Sequence, residues 1–250
     1  MYREHKITIV IPCLNEEEGI HEVLARVPGF VDEVIVVDND STDRTAAIAR
    51  KWGARVVEET VRGYGRAYKT GLFHAQGDII VTLDGDRSYP VDSVSYLLEA
   101  LLNSRVGFIS ASRFPIQDPE SMSFKNMVGN RVLSLIMSLL YFRWIHDSQS
   151  GMWIFYKESL KKMNLRSDEM AFSEEIKIEA LCNPQIGFRE IPINYSNRAG
   201  EEKLRPWRDG WNNLMFLFNK RIMGRRQKTV DSRQESGDRR QKSVPTRGQE

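Results

Sequence analysis

The sequence predicts an α/β fold in which a mainly parallel central sheet carries helices on both faces. Short runs of Val and Ile recur along the first 113 residues, and amphipathic stretches lie between them. Acidic or polar residues directly follow several of these runs. Continuous β-branched runs are typical of strands buried on both faces, as in a parallel sheet covered by helices.

In the first half of the chain we predict strands that alternate with helices. The strands are ITIVIP (7–12), EVIVVD (33–38), ARVVEE (54–59), DIIVTLD (78–84) and VGFISASR (106–113). The helices begin at Glu16, Thr42, Tyr64 and Val91. Asn15 is a suitable N-cap for the first helix.

After residue 113 the pattern changes to longer apolar segments. In order, these predict a helix over 125–141, a strand over 151–157, a helix near 173–181, a strand over 188–195 and a helix from about Pro206 to Met223. We expect one domain over residues 1–223. Its first half (1–113) would bind a nucleotide, and its second half (114–223) would complete the site.

Composition and charge exclude several classes of protein. Cys13 and Cys182 stand far apart, without the spacing of a zinc site or a disulfide framework. The N-terminus lacks the apolar core of a signal peptide. The most apolar stretch, 132–145, is too short for a spanning helix and contains Arg143. We therefore expect a cytoplasmic protein that meets a membrane, if at all, only at its surface.

The C-terminal segment is the basic part of a chain whose formal net charge is +2. Residues 220–250 hold ten Lys and Arg against four Asp and Glu. Because residues 224–250 are almost free of apolar side chains, we expect a disordered basic tail. It is either simply solvated or attracted to anionic lipid. Nucleic-acid binding is not expected, since acidic residues interrupt the tail and aromatic residues are absent from it.

The segment LDGDRSYP (83–90) places two carboxylates after a predicted buried strand. On an extended backbone residues i and i+2 point the same way, so Asp84 and Asp86 can approach one ion, and Gly85 leaves room for phosphates. Mg²⁺ and Mn²⁺ favour such carboxylates together with phosphate oxygens. A turn rich in Asp and Gly gives the same pattern without a ligand. The position at a strand end, where ligands of open α/β sheets bind, favours the metal site.

A second acidic segment, VVDNDSTDRT (36–45), also follows a strand. Asp38 or Asp40 can accept hydrogen bonds from a ribose hydroxyl or a base. Alternatively, Ser41 or Thr42 simply caps the next helix. Residues 63–65 do not complete a GxGxxG motif, and no GxxxxGK[ST] motif is present.

Taken together, IPCLNEE, VVDNDSTD, GYGRAYKTGL and LDGDRSYP resemble, in order and spacing, the inverting GT-A glycosyltransferases of family 2. The resemblance implies a nucleotide-sugar donor linked to UDP or GDP, and Mg²⁺ or Mn²⁺ as cofactor. It also implies donor-side residues: Pro12, Asn15 and Glu16 at the nucleotide, Asp38 and Asp40 at the base and ribose, Lys69 near the pyrophosphate, and Asp84 and Asp86 as metal ligands.

The second half resembles the dolichol-phosphate mannose synthase branch of that family. The similar segments are SASRF (110–114), NRVLS (130–134), DSQSGMWIF (147–155), FSEE (172–175) and YSNRAGEEKL (195–204). The branch implies a polyprenyl (dolichyl) phosphate as acceptor. It further implies basic residues that contact phosphates: Arg113, Arg131, Arg198 and Lys203. We add Ser134 and Asp147 as further acceptor-side candidates.

The nature of the acceptor decides whether a general base is needed. A phosphate monoester has a second pKa near 6, so it is already an anionic nucleophile at neutral pH. A hydroxyl acceptor would need a base, for which Asp147, Glu174 and Glu175 are the candidates. We therefore favour metal-dependent inverting transfer to a polyprenyl phosphate. A soluble acceptor and a non-catalytic nucleotide-sugar-binding module are the alternatives.

Two apolar stretches are candidates for contact with the lipid, residues 132–141 and 211–218. Stretches of this kind are often ordinary core. The second is followed by Lys220, Arg221, Arg225 and Arg226, a sequence typical of a helix on a membrane surface. We therefore expect a peripheral protein on the cytoplasmic face of a membrane.

Overall fold

The computed structural model describes residues 1–200 and 208–222. The strands are β1 (Ile7–Cys13), β2 (Glu33–Asp38), β3 (Arg55–Glu58), β4 (Ile79–Thr82), β5 (Phe108–Ser112), β6 (Trp153–Tyr156) and β7 (Phe188–Pro192). The helices are α1 (Ile20–Ala25), α2 (Thr45–Lys51), α3 (Tyr64–His74), α4 (Ser93–Leu102), α5 (Phe124–Tyr141) and α6 (Phe172–Cys182). Residues 208–222 are also helical and are called α7.

The strands form one sheet in the order β3-β2-β1-β4-β6-β5-β7. The β1–β2, β1–β4, β2–β3 and β5–β7 pairs are parallel. Strand β6 runs antiparallel to both of its neighbours, with Ile154 opposite Val81 of β4 and Ile109 of β5. The prediction of a mainly parallel sheet is confirmed. Because β6 and β7 follow residue 113, both parts of the chain contribute to this sheet.

Helices cover both faces of the sheet, as predicted. All residues of β1 are buried. Ile9 and its neighbours two positions away belong to a core that includes residues of α1, α2 and α4. Val10 belongs to a second core, on the opposite face, with residues of α3 and α6. The alternation of side chains along a strand therefore supplies both layers.

A third apolar cluster joins α5, α6 and α7. Its buried members are Leu133, Met137, Ile145, Ile178 and Leu217. Lys220 of α7 pairs with Glu175 (2.8 Å) and Glu179 (2.7 Å) of α6. These contacts hold α7 against the second half of the domain. Within residues 1–200 and 208–222, no helix has the length and apolar content needed to cross a bilayer.

Two predicted helix starts are wrong by several residues. Helix α1 begins at Ile20, and Asn15 adopts a left-handed conformation (φ 51°) instead of capping it. Helix α2 begins at Thr45, and its N-cap residue, Arg44, makes no side-chain capping bond. Both errors arise because the loop residues bond to one another across the two strand ends. The predicted tail and the predicted ends of the last helix, Pro206 and Met223, lie outside the described residues.

Candidate functional site

The loops after β1 and β2 are joined into one rim at the carboxyl edge of the sheet. The backbone N–H of Asn15 donates to Ser41 Oγ (3.0 Å), and Asn15 Oδ1 accepts from the N–H of Thr42 (2.7 Å). The N–H of Glu16 donates to Thr45 Oγ1 (2.8 Å). These bonds place the IPCLNEE and VVDNDSTD segments beside each other, as a shared binding rim requires.

Asp38 and Asp40 occupy different parts of this rim. Asp38 Oδ1 accepts from the N–H of Ser41 (3.2 Å), which fixes the turn. Asp40 is exposed and left-handed (φ 64°), and Arg62 Nε donates to its Oδ2 (2.9 Å). Arg62 is a neighbour that the sequence did not reveal. Pro12 is buried within β1.

Asp86 and Asp84 follow β4 and meet the rim from the next strand. The Oδ1 of Asp86 accepts from Ser88 N (3.0 Å) and Ser88 Oγ (2.6 Å), whereas its Oδ2 lies 3.4 Å from Arg198 Nη2. The same nitrogen lies 3.8 Å from Glu16 Oε1. Asp84 Oδ1 accepts from the Tyr68 hydroxyl (3.1 Å). Carboxylates from two loops thus converge.

The pKa of Asp84 shows the electrostatic state of this acidic side of the site. Burial raises the pKa of Asp84 from 3.8 to about 7, and the charges of Asp86 and Glu16 add to the rise. The hydrogen bond from Tyr68 and the charge of Arg113 oppose it. Negative charge at this place is therefore incompletely compensated, and a bound cation would relieve it.

A hard divalent cation fits this donor set. The oxygens of Asp84 and Asp86 are the ligand type that Mg²⁺ and Mn²⁺ prefer. No group of three His, Cys, Asp or Glu side chains suited to a metal occurs in the part of the chain that the structure describes. The aspartate pair would therefore share an ion with ligands from outside the chain, such as phosphate oxygens or water.

Two glycines allow the close packing of this side. A Cβ on Gly85 would lie 2.6 Å from Cys13 Sγ and 3.3 Å from the Glu16 Cβ. The need for glycine here therefore comes from packing against the β1 loop, a reason different from the predicted room for phosphates. At Gly151 a Cβ would overlap the Tyr64 hydroxyl and lie 3.3 Å from Asp84 Oδ1.

The opposite, basic side of the site is organised by a buried ion pair. Arg113 Nε donates to Asp147 Oδ2 (2.8 Å), and Arg113 Nη2 donates to Asp147 Oδ1 (2.8 Å). The N–H of Arg113 also donates to Oδ2 (2.9 Å). Asn130 Nδ2 and the N–H of Gln149 donate to Oδ1 at 2.8 and 3.1 Å. Asp147 is fully buried, so these donors replace all of its hydration.

The pKa of Asp147 moves in the opposite direction from that of Asp84. Burial by itself would raise it, but Arg113, followed by Lys177 and Asn130, outweighs burial and holds the pKa well below its usual value. Lys177 Nζ donates to the backbone carbonyl of Asp147 (2.8 Å). Burial lowers the pKa of Lys177 to about 8. Asp147 is thus a charged anchor whose oxygens are already occupied.

The two other carboxylates considered as bases are also engaged. Glu174 is buried, and its Oε1 accepts from Gln149 Nε2 (2.6 Å). Burial raises the pKa of Glu174 well above its usual value. Glu175 Oε2 accepts from the N–H groups of Arg166 (2.8 Å) and Ser167 (2.7 Å), and its Oε1 pairs with Lys220. Glu175 therefore supports the surrounding structure with both oxygens, whereas the buried Oε2 of Glu174 has no hydrogen-bond partner.

The remaining predicted residues differ in how close they lie to this arrangement. Arg131 is exposed, with its guanidinium 4.0 Å from the centre of the Phe114 ring. Ser134 is buried, and its Oγ donates to Asn130 Oδ1 (3.1 Å) and accepts from Ser148 N (2.9 Å). Lys69 pairs with Asp168 (2.5 Å). Lys203 lies outside the described residues.

Four tyrosines line the space between the two sides and were missed in the sequence. Tyr68 also donates to the Gly151 carbonyl (3.2 Å), and Tyr89 OH accepts from the Gly151 N–H (2.7 Å). Arg113 lies 5.4 Å from the ring centre of Tyr195, which packs edge-on against Tyr89. Tyr64 stands one helical turn before Tyr68 on α3. The i, i+4 spacing of these two was the available signal.

Comparison with known proteins agrees with this geometry. The family model described as glycosyl transferase family 2 matches residues 8–163. A low-salt glycan biosynthesis hexosyltransferase of Haloferax volcanii is 32% identical over 85% of this chain and 53% of its own length. A dolichyl-phosphate hexose transferase of the same organism is 33% identical over 84% of this chain and 91% of its own length. The chain thus spans about half of the first relative and most of the second.

A solved structure with the same fold is glucosyl-3-phosphoglycerate synthase from Mycobacterium tuberculosis, in complex with Mn²⁺, UDP and glucosyl-3-phosphoglycerate. It aligns with a TM-score of 0.72 at 21% identity, covering 87% of this chain and 80% of that one. The predicted GT-A fold is confirmed. The chain belongs to glycosyl transferase family 2, and it is a glycosyltransferase.

Proposed function

We propose that this glycosyltransferase moves a hexose from a UDP- or GDP-linked donor to a polyprenyl phosphate, with inversion at the anomeric carbon. A divalent cation at Asp84 and Asp86 would assist. Relatives with the names dolichyl-phosphate hexose transferase and, in Pyrococcus furiosus, dolichol-phosphate mannosyltransferase support this acceptor class.

The observation that carries the proposal is the buried Arg113–Asp147 pair in a site whose other side is acidic. Asp147 and Glu175 have both oxygens committed, and Glu174 is fully buried with its Oε1 bound to Gln149, so none of the three predicted bases is open to a hydroxyl acceptor. A phosphate acceptor needs none, because it is already an anion at neutral pH. It needs positive charge and alignment, which a rigidly held arginine supplies.

On the donor side, the joined β1 and β2 loops would hold the nucleotide. Pro12, Asn15 and Glu16 would line its pocket, with Asp38 and Asp40 at the base and ribose. When bound, the cation would offset the charge of the leaving diphosphate. Lys69 would reach the pyrophosphate only after its pair with Asp168 opens. Gly85 would keep the β4 loop packed against the β1 loop, beside the nucleotide pocket.

On the acceptor side, Arg113 would bind the nucleophilic phosphate while Asp147 acts as its positioning residue. Arg131, Arg198 and Lys203 would add positive charge around the same phosphate, which favours its approach to the anomeric carbon. Ser134 would act through Asn130 and the 147–149 segment, since its hydroxyl bonds to both. Direct displacement by the phosphate oxygen inverts the anomeric centre.

The lipid chain requires an apolar surface, and two helices supply one. Exposed side chains on α5 recur at intervals of three or four residues, as do those on α7. They are Phe124, Val128, Val132, Leu135 and Leu139 on α5, and Trp211, Met215, Phe218 and Ile222 on α7. Such stripes are typical of helices that lie in a membrane surface. With the basic residues from Lys220 onward, they support peripheral attachment to the cytoplasmic face.

One transfer assay tests the reaction. The protein is incubated with UDP- and GDP-hexoses, Mg²⁺ or Mn²⁺, and a short polyprenyl phosphate, and products are followed by mass spectrometry. We expect a glycosylated lipid phosphate of inverted configuration that disappears with EDTA. Transfer only to a soluble acceptor would replace the proposal with the soluble-acceptor alternative. Donor binding without any transfer would indicate a binding module.

Flotation with lipid vesicles tests the surface. The double variant Leu139→Ser and Phe218→Ser should reduce partition into anionic vesicles about tenfold or more, since each change removes apolar area that the membrane would bury. Phe73→Ser, at an exposed site on α3, is the matched control and should leave partition unchanged. Equal loss in both variants would count against a specific surface.

A further inference from the structure

The side chain of Arg198 points to the acidic side of the site, although its proposed partner is the acceptor phosphate. Its Nη2 lies 3.4 Å from Asp86 Oδ2 and 3.8 Å from Glu16 Oε1. Asp86 is almost fully buried, and the Nε of Arg198 is itself buried without a hydrogen-bond partner. A buried guanidinium nitrogen without an acceptor indicates that this orientation is not the best hydrogen-bonded one available to the side chain.

The oxygen that Arg198 contacts is the one suited to a cation. Asp86 Oδ1 is held by the amide and hydroxyl of Ser88, so its Oδ2 faces the site. A guanidinium carries a charge of +1, whereas a divalent cation carries +2 in a smaller volume. Both would reduce repulsion among the carboxylates, and the same oxygen cannot serve both fully.

The backbone around Arg198 is held by hydrogen bonds, so a change in the contacts of this residue would have to come from its side chain. The N–H of Ala199 donates to the Asp86 carbonyl (2.8 Å), and the N–H of Ser196 donates to the Ser88 carbonyl (3.0 Å). Tyr195, at the start of the same segment, packs under the Arg113 guanidinium. Rotation of the long arginine side chain alone could therefore carry its charge from the acidic side toward Arg113.

We propose that Arg198 is a stand-in cation in the donor-free enzyme. It compensates Asp86 and Glu16 until a divalent cation arrives with the donor, and then it turns to the acceptor phosphate. This inference rests on the proposed function and adds to it an order of binding. Donor and cation bind first, and the phosphate site is complete only afterwards.

Mn²⁺ binding in the absence of nucleotide tests the first half of this proposal. Electron paramagnetic resonance of free Mn²⁺ gives the affinity without any turnover. Arg198→Gln should bind Mn²⁺ about fivefold more tightly than the wild type, because no residual charge competes for Asp86 Oδ2. Arg198→Lys should bind like the wild type. Arg87→Gln, one residue from Asp86 but paired with Glu22, is the matched control and should also bind like the wild type.

Equal or weaker Mn²⁺ binding by Arg198→Gln would overturn the stand-in role. Undiminished Mn²⁺ binding by Asp86→Asn would instead show that the cation site itself is elsewhere, which would also remove the metal part of the proposed function. The two failures are therefore distinguishable.

The second half is tested by calorimetry with a short isoprenyl phosphate. Its affinity for the wild type should rise about fivefold when Mn²⁺ and the nucleoside diphosphate are present, and Arg198→Gln should lose this rise. An unchanged affinity in the wild type, or an equal rise in Arg198→Gln, would contradict ordered binding.

Discussion

Asp84 and Asp147 lie on opposite sides of the site and differ in their neighbours, in their burial and in the direction of their pKa shifts. Asp84 stands at the end of β4 among other carboxylates, and its pKa is raised to about 7 by burial and by Asp86. Asp147 is more deeply buried, yet its pKa falls well below the usual value because Arg113, Lys177 and Asn130 surround it. Burial alone therefore does not decide the state of a carboxylate. The charges and hydrogen-bond donors that surround the carboxylate also decide whether it is ionised.

The contrast assigns different tasks to the two sides. The charge of Asp147 is compensated by the protein itself, so the pair with Arg113 belongs to the folded framework as much as to the site. The charge of Asp84 and Asp86 is compensated only in part, which leaves a place for a ligand cation. Loss of Asp147 should therefore affect folding and activity together, whereas loss of Asp86 should affect activity alone.

The largest effect should come from Asp147→Ala. It leaves Arg113 buried without its counter-ion, which costs about 3–5 kcal/mol of unfolding free energy, and it should abolish transfer. Urea unfolding followed by circular dichroism measures the loss. Glu58→Ala, which breaks the exposed Arg50–Glu58 pair, is the control and should cost less than about 1 kcal/mol.

A double variant sharpens this prediction. Arg113→Met with Asp147→Asn removes both charges but keeps an amide oxygen for Asn130 and Gln149, so it should recover part of the lost stability while remaining inactive. If the double variant were as unstable as Asp147→Ala, the uncompensated charge of Arg113 would not be the cause of the loss.

Asp86→Asn should lower transfer strongly while leaving stability nearly unchanged. The amide oxygen can still accept from Ser88, so the unfolding free energy should stay within about 1 kcal/mol of the wild type. Transfer should fall about 100-fold or more, since a neutral ligand binds the cation poorly. Asp92→Asn, at an exposed position on the way to α4, is the control. Full metal-dependent activity in Asp86→Asn would end the metal assignment.

Lys177→Met should change how stability depends on pH. Burial lowers the pKa of Lys177 from 10.5 to about 8, with Asp147, Glu190 and Glu174 opposing this shift and Arg113 adding to it. Between these values the unfolded chain binds more protons than the folded one, so this group makes stability rise with pH.

The measurement is the unfolding free energy of the wild type minus that of Lys177→Met, which cancels titrations that both proteins share. This difference should rise by about 2 kcal/mol between about pH 7.5 and 9.5. A difference that stays flat, or falls, would show that Lys177 does not carry a buried charge at neutral pH.

The smallest effect should come from Tyr68→Phe. It removes one hydrogen bond to Asp84 and one to the Gly151 carbonyl, at a cost of about 1 kcal/mol in stability. Since the bond from Tyr68 opposes the rise in the Asp84 pKa, the acidic limb of the pH–activity profile should move to higher pH. A limb that moves to lower pH would contradict the role of this hydroxyl.

Local patterns predicted the strands well, and they placed Asp84 and Asp86 correctly after the end of a buried strand. β1 and β4 are recognisable because continuous Ile and Val runs report burial on both faces, and Asp84 is recognisable because it directly follows such a run. Helix starts were less accurate. Asn15 is a residue type that often caps helices, but its amide oxygen accepts a hydrogen bond from Thr42 in a different loop.

The set of hydrogen-bond donors around Asp147 could not be predicted in the same way. Its donors come from residues 113, 130 and 149, which no local pattern relates to one another. The motifs that contain them were recognised only through a family resemblance. Likewise, Ser134 and Glu175 looked like binding or catalytic residues, and only the fold shows that their oxygens are occupied within the chain.

The antiparallel strand β6 limits which segments of this enzyme can be exchanged with those of its relatives. It enters between β4 and β5, so residues 1–113 on their own would lack the strand that joins their fifth strand to the rest. A fragment cut at that point would expose two unpaired edges in the middle of the sheet. Exchanging acceptor halves between relatives at this boundary would therefore also exchange an inner strand of the sheet. Acceptor preference should be easier to transplant as single side chains than as a block.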